Sequence, residues 1–405
     1  MEFAKIYNFL KIYKTVIFLP IISVCLFLAC FFYEFWIVAT IFSVILLTIS
    51  DFSEILYYTL FFQMFSTCGN FSVINTFTAA GLICAKYIYG LVKKTEKFYV
   101  MPFILTVIIC VFFSAITKRI DIHGVYQGSS LIVALFLIYL IFVYRDKIKV
   151  GKCADFLISG ILVSAAISFL SLLFEDVSFN IFDGINNFKR LKLLTENENS
   201  LAIYCSLSLS YYVSCLTSGK GKIIKNIIFS IVAICFGLAT LSKCFLVILI
   251  FIILYLFFML IYTKKLKSIY YIIPAILILS ILSLIFKSNI NTTFGRFFNK
   301  FSDLSFLSAL TTGRSDLWTI YINEITSSMR NMLIGVGMFN ERLVNIGPHN
   351  LLIHLMYRIG LIGIIMIGIL IYYYYRDSNK TLKLTLRNCL PVLVFIMISF
   401  IESFL

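Results

Sequence analysis

The chain has 405 residues, of which 61% are apolar and 13% charged, and its mean hydropathy is +1.00. Soluble domains are about 45–50% apolar and about 25% charged, so a water-soluble globular protein is excluded and a polytopic all-α membrane protein is expected. The net charge of +15, from 34 Lys and Arg against 19 Asp and Glu, would point to nucleic acid in a soluble protein. In a membrane protein it reflects Lys and Arg kept on the cytoplasmic side, and no nucleic-acid partner is expected.

Thirteen apolar windows follow in chain order, near 15–33, 35–50, 55–67, 71–92, 98–116, 127–144, 153–174, 200–217, 226–241, 244–262, 269–286, 350–375 and 389–405. Lys5, Lys11 and Lys14 precede the first, which is too long for a signal h-region and is followed by no small-residue cleavage site, so it reads as a retained anchor. The third is short, with a re-entrant piece as the alternative. With a cytoplasmic N-terminus and thirteen spans, segments 1–14, 51–54, 93–97, 145–152, 218–225, 263–268 and 376–388 lie inside and together carry +14 of the net +15. Removing the third span sends the first two basic segments to opposite sides, so thirteen spans are expected and the C-terminus lies outside.

This gives amino-terminal spans over 1–150, central spans over 151–286 with an outer loop at 175–199, a large extracytoplasmic loop at 287–349, and carboxy-terminal spans over 350–405. The eleven cysteines lie in or beside apolar runs without a C-x-x-C pair and read as small buried hydrophobes, so neither a disulfide nor a metal is expected. No internal repeat of the transporter kind is visible.

The two outer loops carry the chemistry-bearing residues. Loop 175–199 holds Lys189, Arg190 and Lys192 among five acids, and loop 287–349 has 63 residues and ten charges. In the second, Thr312-Gly313-Arg314-Ser315-Asp316-Leu317-Trp318 reads as a helix start with Ser315 as N-cap, followed by an apolar stripe of Leu317, Tyr321 and Ile325. Arg314 at the positive end of that helix suits a phosphate; the alternative is a pair with lipid headgroups or a loop carboxylate. Ile334-Gly335-Val336-Gly337 permits a tight turn, and Pro348-His349-Asn350 opens span twelve. His349 at that boundary could take a proton from a sugar hydroxyl, since the positive helix end keeps an imidazole neutral; the alternative is a polar cap residue.

Inside span twelve, His354 and Arg358 are four residues apart and share a face. Arg358 lies about 13 Å beyond His349 at helical rise. At that depth an ionisable group is either functional or paired with a polar group of a neighbouring helix. Lys86, near the inner end of its span, can snorkel. Ser242-Lys243 forms the outer turn between spans nine and ten, and Lys243 with Lys189, Arg190, Arg314 and His349 makes an outward basic cluster suited to an anionic lipid-linked substrate. No Walker loop, G-x-G-x-x-G or zinc-like spacing is present, and outer carboxylates are sparse, leaving Asp316 and Glu324 as the possible acids.

Taken in order, T-G-R-S-D-L-W, I-G-V-G and P-H-N-L-L-I-H-L-M-Y-R-I-G-L-I-G, preceded by N-E-N-S-L-A at 197–202 and L-S-K at 241–243, resemble the blocks of the O-antigen ligase and O-antigen (capsular) polysaccharide polymerase family. The resemblance covers roughly 150–375 and rests on the order and spacing of the blocks. It implies a metal-independent, cofactor-free, inverting glycosyltransferase in the bacterial plasma membrane, with a glycan on undecaprenyl pyrophosphate as donor at the outer face. It implies Arg314 and His349 as catalytic residues. Arg190, with Lys189 or Lys192 as substitutes, and Lys243, Asn199, Asn350, His354 and Arg358 are the substrate contacts. Lys243 stands where the family often has arginine and loses the bidentate phosphate contact. A repeat-unit polymerase is expected, with a chain-length regulator and a flippase as possible partners. The ligase that moves the finished chain to lipid A core is the alternative. A polysaccharide flippase, or a structural partner in a glycan-assembly complex, are the readings of another class.

Overall fold

Runs of Leu, Ile, Phe and Val leave backbone N–H and C=O groups with no side-chain partners, and a helix satisfies them locally. In the computed structural model, which describes residues 2–117, 119–174, 182–185, 188–263, 314–340, 343, 350–378 and 389–401, the described chain is mostly helical. The helices are α1 (Glu2–Ala29), α2 (Phe35–Ile49), α3 (Phe52–Phe62), α4 (Phe71–Val92), α5 (Val100–Ala115), α6 (Ile122–Val143), α7 (Val150–Ser171), α8 (Glu198–Ser218), α9 (Ile223–Ala239), α10 (Lys243–Thr263), α11 (Arg314–Thr326), α12 (Met329–Ile334), α13 (Leu351–Ser378) and α14 (Leu390–Ile401).

Every apolar window except 269–286, which lies outside the described residues, falls on one of these helices. Six described segments are long and apolar enough to cross a membrane: Lys11–Ala29, Phe71–Val92, Gly124–Val143, Val150–Ser171, Glu198–Ser218 and Leu351–Asp377. Five other apolar helices are shorter. The third window becomes α3, eleven residues closed by a 3₁₀ turn at Gln63–Phe65. Its length, about 16 Å, is half the hydrocarbon thickness of a bilayer. Large apolar side chains such as Val16, Ile88, Val111, Phe257 and Tyr372 stay exposed along these helices.

The described chain is not purely helical. Within loop 175–199, β1 (Phe182–Ile185) and β2 (Phe188–Leu191) form an antiparallel hairpin that sets Asp183 opposite Arg190 and Gly184 opposite Lys189. The chain divides into two compact units. One is Met1–Glu96 with Tyr144–Leu282, and the other is Lys97–Val143 with Ser283–Leu405. The chain passes between them because helices pack by complementary faces, not by chain order.

In the first unit, α3 packs between α4 and α7, α1 lies on α2 and α7, and α8 lies on α7, α9 and α10. Gly160 of α7 lets the end of α3 come close, since a Cβ there would stand 2.9 Å from the Phe61 carbonyl oxygen. Polar pairs act as interhelical glue, with the buried Ser43 hydroxyl donating to Asn75 Oδ1 at 2.6 Å and the half-buried Gln63 Nε2 donating to Thr76 Oγ1 at 2.7 Å. The Lys11–Asp51 and Lys14–Glu54 ion pairs join segments 1–14 and 51–54, and Lys147–Glu96 joins 145–152 and 93–97. Lys225 of segment 218–225 pairs with Asp155 in the first turns of α7. Each pair links segments that charge counting assigns to the same side, or the end of a span that begins there.

In the second unit, α5 packs on α6 and α13, and α11, α12 and α14 pack on α13. Ile109, Cys110, Phe113, Leu131, Leu135, Met338 and Ile359 form one core. Tyr321 and Ile325 of the α11 stripe form another with Val336 and Tyr357, the two tyrosine rings meeting edge to face at 5.2 Å.

Candidate functional site

The candidate residues gather in two places, one in each unit. In the first unit, the chain leaving β2 is held by burial of Leu191, Leu193 and Leu194. The Leu194 N–H donates to Ser164 Oγ at 3.2 Å, and its carbonyl accepts from the Thr67 N–H and hydroxyl at 3.1 and 2.8 Å. Asn197 then caps α8, its Oδ1 accepting from the Ser200 N–H at 2.8 Å. The cap leaves Glu198 in the first helical turn, where the helix dipole favours a carboxylate.

Arg190 is bound to this helix start. Its Nη1 donates to the Glu198 carboxylate, its Nε to the Thr240 carbonyl at 3.1 Å and its Nη2 to the Leu241 carbonyl at 3.5 Å. Thr240 is the C-cap of α9, so the guanidinium also meets the negative end of a helix. From the same turn, the Ser242 hydroxyl donates to Asn199 Oδ1 at 2.9 Å. Leu241 between them has φ +51, a left-handed conformation unusual for leucine. The structure therefore brings Arg190, Asn199 and Lys243 into one neighbourhood, with Lys243 half-buried as the first residue of α10. Lys189 stands opposite Gly184 in the hairpin; its side chain lies outside the described residues.

In the second unit, Arg314 and Ser315 are both helical residues of α11, so Ser315 lies inside the helix and is not the N-cap expected from sequence. Arg314 is partly exposed there and Asp316 is exposed in the same turn. His349 lies outside the described residues, as does Pro348. Asn350 is the buried cap of α13, its Oδ1 accepting from the Ile353 N–H at 3.1 Å. His354 and Arg358 are buried on the next turns.

Arg358, 1% exposed, is committed to the protein. Its Nη1 donates to the Met338 carbonyl at 2.7 Å and to the Asn340 carbonyl, and its Nη2 donates to Gln127 Oε1 on α6. Of the two roles weighed for it, the geometry displays the pair with a polar group of a neighbouring helix. The contacts are reciprocal: the Val336 and Gly337 N–H groups donate to the Tyr357 and Arg358 carbonyls at 2.9 and 3.0 Å. Those carbonyls are open because α13, expected as one continuous helix, breaks at Gly360, with φ 59° and ψ −171°. Gly335, with φ +71, fits against the break: a Cβ on it would stand 2.6 Å from the Arg358 carbonyl oxygen, and one on Gly360 would stand 2.5 Å from the Gly335 nitrogen. Asn340 is further held by the Arg119 N–H at 3.0 Å and by the Tyr357 hydroxyl at 3.1 Å. The I-G-V-G segment is thus docked on α13 backbone to backbone, and both ends of 341–349, Asn340 and Asn350, are anchored in this unit.

Sequence reasoning missed Glu198, Gln127, Asn340 and the Gly360 break. A signal existed for Gln127, an amide near the start of an apolar span that needs a partner. Glu198 was one of five acids in its loop, and nothing in the pattern singled it out. The chain matches no protein-family model, no curated protein and no solved structure. What the described residues define is a helical protein with, among those residues, six membrane-length apolar segments and two arginine-centred polar clusters, one at each set of sequence blocks.

Proposed function

We propose that this chain is a multi-pass glycosyltransferase of the bacterial plasma membrane that polymerises lipid-linked repeat units at the outer face, with its N-terminus in the cytoplasm. The observation that carries the reading is the meeting of two short sequence blocks and Arg190 in the first unit. Arg190, N-E-N-S and L-S-K are separated along the chain, yet they are joined by Arg190 to Glu198 and to the Thr240 carbonyl, and by Ser242 to Asn199. The docking of I-G-V-G on the helix that follows P-H-N gives the same kind of support in the second unit. Ion pairs that join only segments of equal assigned side support the topology.

In this reading the donor is a glycan on undecaprenyl pyrophosphate and the acceptor is a sugar hydroxyl of a second lipid-linked unit. The hydroxyl oxygen attacks the anomeric carbon, His349 takes its proton, and the bond to the diphosphate breaks with its electron pair leaving on the lipid diphosphate. Arg314 steadies the charge that develops on the leaving group. Lys243 is assigned to the anionic part of the lipid-linked chain. The diphosphate bond drives the reaction, so a nucleotide site is not required.

The test is purified protein in lipid nanodiscs with a lipid-pyrophosphate-linked repeat unit, scored for chain-length laddering. Polymer is expected from the wild type and is lost in His349→Ala and Arg314→Ala chains that insert and fold normally. Full-length polymer from both variants would overturn the assignment. Transfer of a finished chain to lipid A core, without laddering, would mark a ligase instead.

A further inference from the structure

Arg190 entered as a substrate contact, but its three nitrogens face a carboxylate and two carbonyl oxygens of the protein. We infer that Arg190 is a positioning residue: through Glu198 and the end of α9 it locks the α9–α10 turn that leads into Lys243, the first residue of α10. This rests on the proposed function for its substrate. It departs from the simpler expectation that every basic residue of the cluster touches the diphosphate.

Three observations carry it. First, charge: Arg190 and Glu198 cancel, with side chains 29% and 11% exposed, so a diphosphate approaching Arg190 would meet the Glu198 carboxylate at close range.

Second, placement: Arg190 ties three separate pieces, the hairpin, the start of α8 and the end of α9. Its partners satisfy the dipoles of both helices, a carboxylate at the positive end of α8 and a cation at the negative end of α9. That is the geometry of a fastener.

Third, strain: Leu241 sits at φ +51 between Thr240, whose carbonyl Arg190 holds, and the serine bonded to Asn199. A leucine in the left-handed region is disfavoured relative to the right-handed one and persists where its surroundings over-determine it. The Ser242 N–H donating to Thr240 Oγ1 at 3.2 Å and the Arg190 contact supply that determination from both sides.

The experiment uses the full chain in nanodiscs and four variants, Arg190→Ala, Glu198→Gln, the double substitution and Lys243→Ala, with kcat and KM for the lipid-linked donor and the melting temperature of each. Arg190→Ala and Glu198→Gln are expected each to lower kcat tenfold or more with KM within twofold, and the double variant to be no worse than either. Lys243→Ala is expected to raise KM. Adding Leu241→Gly, which adopts the left-handed turn without the Cβ penalty, is expected to restore severalfold of the kcat lost in Arg190→Ala; a lost phosphate contact would not be restored this way. A tenfold rise in KM for Arg190→Ala, with Glu198→Gln kinetically silent and no rescue by Leu241→Gly, would overturn the inference. If the wild type makes no polymer, the proposed function fails. The lock is then decided by melting alone: non-additive losses for Arg190 and Glu198, with recovery by Leu241→Gly, retain it, and additive losses without recovery remove it.

Discussion

Arg190 and Arg358 were both read from sequence as ligand contacts, and in both units the structure turns the guanidinium onto the protein. They differ in what neutralises them. Arg190, partly exposed, meets a carboxylate as well as two carbonyls. Arg358, at 1% exposure, donates to two backbone carbonyl oxygens and to the Gln127 amide oxygen. The first is an ion pair that solvent can partly screen; the second is a cation solvated by backbone dipoles in place of water. An ion pair can be broken and re-formed as loops move. A buried arginine in a cage of carbonyls ties its loop permanently, because release strands every acceptor at once.

That contrast predicts unequal costs. Arg358→Met keeps the bulk and removes the donors, leaving three buried acceptors unpaired, and is expected to destabilise by about 3 kcal/mol or more. Arg190→Met, in a partly hydrated pair, is expected to cost about 1 kcal/mol. Thermal unfolding of both variants in the same nanodiscs measures the difference, and equal losses would break the comparison.

Next in size is Gly360→Ala. The break at Gly360 is what exposes the carbonyls that receive Val336 and Gly337, and its Cβ would stand 2.5 Å from the Gly335 nitrogen and 2.6 Å from the Ile334 nitrogen. Neither atom is the end of a flexible side chain. Together with the positive φ this costs about 2–3 kcal/mol, seen as a lowered melting temperature and faster proteolysis in 335–350. A neutral Gly360→Ala would mean that the α12–α13 turn is not docked on the break.

Gln127→Leu sharpens the same point from the other side. It removes one neutral partner of Arg358 and keeps the carbonyl pair, so a loss of about 1–2 kcal/mol is expected, smaller than that of Arg358→Met. Combined with Arg358→Met it should add little, since the amide then has no cation to receive. Full additivity in melting measurements would separate the two residues.

The fold was largely legible in the sequence, and the clusters were legible as membership but not as partnership. Apolar runs of 15 residues or more have few alternatives to helix, so windows such as 71–92 and 153–174 return as α4 and α7 within a few residues. The α13 break was hidden because glycine is common in apolar helices, and Gly360 gains its meaning only from Gly335 pressed against it. The hairpin was hidden because its strands are four residues each. The partners of Arg358 come from residues 127, 338 and 340, and hydropathy carries no information about such pairings.

The smallest expected effect separates two roles for Asn350, which was read as a substrate contact and is the cap of α13. An Asn cap replaced by Ala costs about 1 kcal/mol, and Ser, which also accepts from the N3 N–H, restores most of it. If capping is the whole role, Asn350→Ala lowers the melting temperature slightly, and Asn350→Ser returns both stability and polymer formation to near the wild-type level. A hydroxyl is too short to reproduce an amide's contacts with a sugar. An Asn350→Ser chain that melts normally but has lost polymer would therefore place Asn350 against the substrate as well, and would make the helix start beside His349 part of the acceptor site in its own right.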